Sequence, residues 1–409
     1  MTRPTGIPAL RAGTARTDVT PADLAGLNAM GEDFTAVEGR LLVRAVVVDG
    51  GTGPVAIVAA DLLEFGRTDA LRARIETETG IPASAVLLCA SHSHNAPRAG
   101  LTPPGGLSRD PSPESLRFTE ALFDAVAVAV AAAHTRLEPV TLAFGTGTVS
   151  VNQNRDELVD GRWMLGTNPG GPSDKTLGVL ALNALDGRAV ATLLTYAVHP
   201  TVSLGTRRLG PDLAGAATAA VEAAVGGEAL WLPGSIGDQA PAWSLEIARD
   251  AGDDPTAADV AAHVAELGAA VGSQAIAVRE GLHEWTDAAP VAAAQIVVGC
   301  RPKRGTHLAP GMSQEHVDEV ELIVTAAVLG DAVLIGVSGE VTCGAAAVIA
   351  AASPVPAIVL SIVNERIGYL ADADAFRLGT FAARGCPVQA DWVDAVAAAA
   401  GGLVRGLVA

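Results

Sequence analysis

One layout of apolar segments recurs three times along the 409 residues, and it restricts the fold more than any other feature. Each copy runs apolar strand, tight turn, second apolar strand, helix, third strand. The copies share this layout rather than residue identity. The first opens with Leu41 to Val48, turns at Asp49-Gly50-Gly51, returns over Val55 to Ala60, continues as a helix from about Arg67 to Thr79 and closes on Val86 to Cys89. The second runs Leu177 to Leu182, Asp186-Gly187, Ala189 to Val198, a helix over Leu213 to Val225, then Ala229 to Leu232. The third runs Val320 to Val328, Gly330-Asp331, Val333 to Val337, a helix over Thr342 to Ala352, then Ala357 to Val363.

Asp-Gly and Gly-Asp between apolar runs signal hairpins, because Gly tolerates positive φ. The third strand of each unit is short and apolar on both faces, as in a strand covered by helices on both sides. The pattern predicts an α/β protein with a mixed central β-sheet built from three hairpin–helix–strand units and flanked by helices. The hairpins supply antiparallel pairs, and the strand after each helix can lie parallel. Three more helices are expected. One starts at Ser112-Pro113-Glu114, with Ser as cap and Pro in the first turn, and reaches about Arg136. The others cover about Thr256 to Glu280 and Asp391 to Leu407. Segments rich in Pro and Gly, at 96–113 and 166–174, read as surface loops. No linker divides the chain, so residues 1–409 are expected to form a single domain.

Composition narrows the partners. Hydrophobic residues make up 49% but aromatics only 3%, leaving few side chains to stack on bases or sugars. A net charge of −18 repels a phosphate backbone and anionic headgroups, so nucleic acid is not an expected partner. No stretch reaches the ~18 uninterrupted apolar residues of a membrane span, so stable membrane insertion is not expected either. Met1 to Ala15 holds no apolar run suited to a secretion signal, which makes a cytoplasmic location the expectation. Cys89, Cys300, Cys343 and Cys386 form no C-x-x-C pair and read as free buried thiols.

In open α/β sheets, ligands bind at the carboxyl ends of strands. Those ends offer Asp61 and Ser91-His92-Ser93-His94 in unit one, His199-Pro200 and Gly237-Asp238 in unit two, and Gly339-Glu340, Asn364-Glu365 and Tyr369 in unit three. His134, His263, His283, His307 and His316 fall outside this set and read as surface or capping residues. His92 and His94 would point the same way if the strand before them continued. Such a pair suits a metal ligand beside a second polar group. Imidazole, carboxylate and phenolate together favour zinc over calcium or magnesium. The alternative reading of H-x-H alone is two exposed or hydrogen-bonded histidines. An H-E-x-x-H helix, a G-x-S-x-G elbow, a G-x-x-x-x-G-K loop and a complete G-x-G-x-x-G are all absent. Serine hydrolase, ATPase and nicotinamide dehydrogenase are therefore poorly supported.

At these residues the chain resembles the catalytic domain of the neutral (non-lysosomal) ceramidase family. Ala90-Ser91-His92-Ser93-His94-Asn95-Ala96-Pro97 is similar to its T-H-T-H-S-G-P motif, and Tyr196-Ala197-Val198-His199-Pro200-Thr201 to its A-V-H-P-T segment. Gly339-Glu340-Val341-Thr342 resembles its G-E-F-T, Asn152-Gln153-Asn154-Arg155 its N-x-N-R, and Tyr369-Leu370 through Phe376 its tyrosine-containing loop. The ordered match runs from about Gly13 to Cys386. The resemblance implies a zinc amidase with Zn2+ held by His92, His199, Glu340 and Tyr369. It implies catalytic roles for His94 and Arg155, facing the substrate, and substrate-binding positions at Asp238 and Phe381.

The chain departs from the family in three places. The G-D-V-S-P-N hexapeptide reads Gly237-Asp238-Gln239-Ala240-Pro241-Ala242, so the family serine is Ala240 and a covalent serine mechanism there is excluded. Phe381 stands where the family has another active-site tyrosine. A counterpart of the family's trailing β-sandwich domain is not expected. These departures shift the expectation from ceramide to hydrolysis of a linear amide in a small, soluble amide or ester substrate. The alternatives are zinc-dependent acyl transfer or lactone and ester chemistry in a biosynthetic pathway, and a non-catalytic ligand-binding homologue. A homo-oligomer is compatible with all of them.

Overall fold

The computed structural model describes residues 9–108, 110–306 and 313–409. Strand β1 (Arg11–Asp18) precedes the first unit, which forms β2 (Leu42–Asp49), β3 (Pro54–Ala60), α1 (Asp69–Thr79) and β4 (Val86–Ala90). Helix α2 (Pro113–Thr135) and β5 (Glu138–Thr148) lead to a long hairpin, β6 (Asn152–Val159) and β7 (Arg162–Asn168). The second unit is β8 (Thr176–Ala184), β9 (Ala189–Tyr196), α3 (Asp212–Val225) and β10 (Glu228–Pro233), followed by β11 (Gln239–Pro241). Helix α4 (Ala257–Glu280) and β12 (Val291–Cys300) come before the third unit: β13 (Val320–Leu329), β14 (Ala332–Val337), α5 (Cys343–Ala351) and β15 (Ile358–Leu360). Helix α6 (Trp392–Val408) follows.

The local chemistry explains these boundaries. At the first hairpin the Asp49 carboxylate accepts from the Gly51 amide at 2.7 Å, and Gly51 takes φ 84°. Asp186 and Gly187 repeat the device at the second, with the Arg188 amide donating at 3.0 Å. Helix α2 starts on the Ser112 side chain, which accepts from the Ser115 amide, with Pro113 in the first turn. Thr256 and Asp259 form a reciprocal capping box at the start of α4. That helix is long and apolar enough by length and composition to cross a bilayer, and here it lies across α3, β5 and β8.

The mixed central sheet has eight strands in the order β10-β9-β8-β5-β1-β2-β3-β4. The hairpins pair antiparallel, and the β9–β10 and β3–β4 pairs are parallel. Units one and two thus occupy opposite ends of one sheet, each with its parallel strand outermost. The sheet curls so that β4 and β10 approach each other. The third unit has a sheet of its own, β12-β13-β14-β15, because β12 supplies the antiparallel partner for β13. The two sheets meet at the edge of β4, through a bridge between Cys89 and Val363 and a hydrogen bond from the Asn364 amide to the Leu88 carbonyl at 2.8 Å. Val46, Ile57, Leu87, Leu182, Leu329 and Leu334 form an apolar layer shared by both sheets. Each fully buried aliphatic side chain there contributes about 1.5–3 kcal/mol.

The segment after β4 corrects one expectation. Ala96 to Gly100 are buried rather than on the surface, because Glu64–Phe65 pairs in parallel with Arg98–Ala99. Residues 166–168 belong to β7, and only the remainder of 166–174 is irregular. His283 and His316 are exposed, while His134 and His263 are half-buried, His263 stacking on Trp243 at 3.8 Å. His307 lies outside the described residues.

Candidate metal centre

Three strand ends deliver the polar side chains: β4 leads to His92 and His94, β9 to His199, and β14 to Glu340. The strand after Ala90 does not continue, which corrects the pleat argument for His92 and His94. His92 takes φ 66°, a left-handed conformation that costs a non-glycine residue about 1–3 kcal/mol. The turn nevertheless brings the two rings together edge to face, with centroids 4.9 Å apart and the Nε2 atoms 3.4 Å apart. Glu340 opens a two-residue strand that pairs in parallel with Tyr369–Leu370. Gly237 is what lets the second unit press on this strand: a Cβ there would lie 2.5 Å from the Glu340 carbonyl oxygen.

The side chains of His92, His199 and Glu340 are essentially inaccessible to solvent, at 2%, 0% and 0%. His92 Nδ1 lies 2.7 Å from the Leu63 carbonyl and His199 Nδ1 lies 3.1 Å from the Gln239 carbonyl. A carbonyl has no proton to give, so each Nδ1 carries the hydrogen and each Nε2 turns its lone pair inward. Burial, followed by the nearby Arg155 charge, pushes His199 down to about 3, so that ring is neutral at neutral pH. Burial opposes ionisation of Glu340, but the Arg366 guanidinium outweighs it and holds the carboxyl well below the usual range. The Glu340 Oε2 atom sits 3.1 Å from His199 Nε2 and 3.5 Å from His92 Nε2.

This arrangement sets a carboxylate lone pair against imidazole lone pairs in a buried site. Without a proton or a cation among them, the contacts are repulsive. Ligand atoms ~2.0–2.1 Å from a tetrahedral ion stand about 3.3 Å from one another. The separations of 3.1, 3.4 and 3.5 Å match that spacing. The ligand atoms of His92, His94 and His199 all lie within 4.8 Å of one another. The residues present therefore fit a single cation held by imidazole nitrogens and one carboxylate oxygen. His94 belongs to the cluster by position. Its Nδ1 is buried with no hydrogen-bond partner, and burial followed by the neighbouring imidazoles pushes its pKa well below the ordinary value.

The other expected residues surround this cluster at different depths. Arg155 sits in a bulge of β6, a device that re-aims side chains beside sites. Its guanidinium donates to the Gly237 carbonyl at 2.8 Å and to the Tyr369 hydroxyl at 3.2 Å. The Tyr369 hydroxyl thus accepts from Arg155, and Tyr369 lines the same cavity as His92 and His94. Phe381 packs edge to face on Tyr369 with centroids 5.6 Å apart. Asp238 lies behind the wall: its carboxylate accepts from the Cys343 amide at 2.9 Å, Gln239 at 3.1 Å and Asn154 at 3.2 Å. Burial raises it to about 6. These contacts brace the loop that carries it. Ala240 stands in β11 opposite Gln153.

A cavity of about 200 Å³ opens onto the cluster, lined by His92, His94, Glu340, Tyr369 and Phe381 among others. Its wall also contains Arg366, Glu64 and Arg98, none of which the sequence motifs single out. The available signal was a charged residue between the apolar end of β15 and Tyr369.

A buried cluster of imidazoles and a carboxylate at strand tips is a donor set that could hold a metal ion. The whole chain shares the fold of the neutral ceramidases. It superposes on a ceramidase complexed with C2 with a TM-score of 0.77 at 17% identity, covering 98% of this chain and 75% of that one. It superposes on the neutral ceramidase from Pseudomonas aeruginosa with a TM-score of 0.74 at 16% identity, again over 98% and 75% of the two chains. No protein-family model matches the chain, and no curated protein matches its sequence.

Proposed function

We propose that this chain is a single-domain, zinc-dependent amidohydrolase that cleaves a linear, non-peptide amide in a small substrate. The observation that carries the proposal is the buried convergence of two imidazole Nε2 atoms on one carboxylate oxygen, at 3.1 and 3.5 Å. The two superposed structures are ceramidases, and a ceramidase breaks an amide bond. The small size follows from the cavity, whose volume of about 200 Å³ is below the ~300 Å³ lower end for drug-sized ligands.

His92, His199 and Glu340 would hold the ion, with His94 within reach as a further nitrogen. When bound, zinc lowers the pKa of water and polarises a carbonyl. The chain's own residues supply the rest. His94 lines the cavity and stays neutral at neutral pH, so its ring can accept or return a proton there. Arg155 is fixed by the Gly237 carbonyl, and it orients the Tyr369 hydroxyl, whose proton is then free to be donated to a substrate oxygen. Leu63, Leu107, Met30 and Phe381 give the cavity its apolar wall and exclude water from the reacting bond.

The test is metal analysis of purified protein together with an amidase screen on wild type and His92→Ala. One zinc per chain, amide cleavage by wild type, and loss of both in the variant are expected. Folded wild-type protein that binds no zinc would refute the proposal.

A further inference from the structure

The cavity wall contains four buried side chains of alternating charge that end at the metal cluster. Arg98 Nε lies 3.5 Å from Glu64 Oε1, and Arg366 Nη1 lies 2.9 Å from Glu64 Oε2. Arg366 Nε in turn donates to Glu340 Oε1 at 2.6 Å. Glu64 and Arg98 come from the two short strands that pair in parallel, so their separation is fixed by main-chain register. Arg366 arrives from the segment between β15 and the Tyr369 strand, and all four side chains are close to fully buried.

This string decides which oxygen of Glu340 faces the imidazoles. The terminal torsion of a glutamate is broad and two-fold, so an unrestrained carboxylate can offer either oxygen or both. Here Arg366 occupies Oε1, and Oε2 alone is turned to His92 and His199. A catalytic zinc site needs a coordination position that no protein atom fills. A carboxylate donating through two oxygens would take that position. We infer that Arg366 is a positioning residue that holds Glu340 as a one-oxygen donor, with Glu64 and Arg98 as its anchor. The inference rests on the zinc reading proposed above and goes beyond it by assigning roles to residues outside the ligand set. Arg366 has to be an arginine for this purpose, because a planar guanidinium contacts Glu340 and Glu64 at once in fixed directions, whereas an ammonium is a point charge.

The experiment compares full-length wild type, Arg366→Met, Arg366→Lys and Glu64→Gln for zinc affinity, by chelator competition, and for the visible absorption of the cobalt(II)-substituted protein. We expect Arg366→Met to bind zinc ~10–100-fold more weakly. We expect weaker cobalt bands, because a carboxylate free to turn raises the coordination number. Arg366→Lys keeps the charge and is expected to restore thermal stability but not the cobalt spectrum. Glu64→Gln, which leaves the ligands and Arg366 in place, is expected to shift the spectrum in the same direction by a smaller amount. If Arg366→Met does not fold, the other two variants decide the matter. Wild-type affinity and spectrum in Arg366→Lys and Glu64→Gln would overturn the positioning role and leave only charge compensation. A wild type that binds neither metal would overturn the zinc reading itself.

Discussion

Replacing Glu340 by Gln changes one charge and almost no volume, so its consequences can be worked from the contacts. The side chain is fully buried, with Oε1 bonded to Arg366 at 2.6 Å and Oε2 facing His199 and His92. In the variant the amide oxygen can still accept from Arg366, and the amide nitrogen can donate to one imidazole Nε2. Breaking a buried charge pair costs about 3–5 kcal/mol. Glu64 remains beside Arg366 at 2.9 Å, and the new hydrogen bond returns about 1 kcal/mol, so a net loss of about 2–4 kcal/mol is expected in the metal-free protein. The effect on zinc is larger. Loss of an anionic donor exceeds the loss of an outer partner, so affinity falls by more than ~100-fold. At a zinc concentration 100 times the wild-type dissociation constant, wild type gains about 2.7 kcal/mol of stability, while the variant gains at most about 0.4 kcal/mol. Thermal or urea unfolding with and without zinc measures both numbers. A zinc-induced stabilisation in Glu340→Gln equal to that of wild type would refute the assignment of Glu340 as a ligand.

Three further outcomes follow from the same geometry. Tyr369→Phe should leave zinc content unchanged and lower kcat/KM by ~10–100-fold, since the hydroxyl is bonded to Arg155; zinc loss measured by metal analysis would instead make Tyr369 a ligand. The metal-free protein should lose stability as pH falls from ~6.5 toward 3, because His199 stays neutral in the folded state to about 3 while the unfolded chain takes up its proton at the ordinary value. Urea midpoints at several pH values check the sign, and His199→Asn should flatten the slope. Gly237→Ala places a Cβ 2.5 Å from the Glu340 carbonyl oxygen, so it should cost about 1–3 kcal/mol in unfolding and release zinc more readily on dialysis.

Local chemistry explains how much of this was legible beforehand. Hairpins written as Asp-Gly or Gly-Asp between apolar runs announce themselves, and the boundaries of all three units fall within a few residues of those read from periodicity. His92, His199 and Glu340 are legible because each stands two or three residues past the end of an apolar strand. The long-range pairings were not legible. Nothing in the residues around Val320 says that β12 will partner β13 and give the third unit its own sheet. The Glu64–Phe65 strand is two residues long, too short for any periodicity, yet it buries the loop expected at the surface and anchors Arg366. His92 reaches its place through a left-handed turn, where a continuing strand was expected, so the expected convergence came from a different backbone. Asp238 reads as a site residue because it follows β10, and its carboxylate accepts from the amide that begins α5 and from two neighbouring side chains, a long-range contact that the sequence does not announce.

The most direct test of a metal shared by three distant strand ends is an anomalous-difference map from crystals grown with zinc, collected on both sides of the zinc absorption edge. The account predicts one strong peak ~2.0–2.1 Å from the Nε2 atoms of His92 and His199 and from Oε2 of Glu340. A well-ordered crystal in which these side chains converge as described, but with no peak among them or with the peak elsewhere, would contradict it.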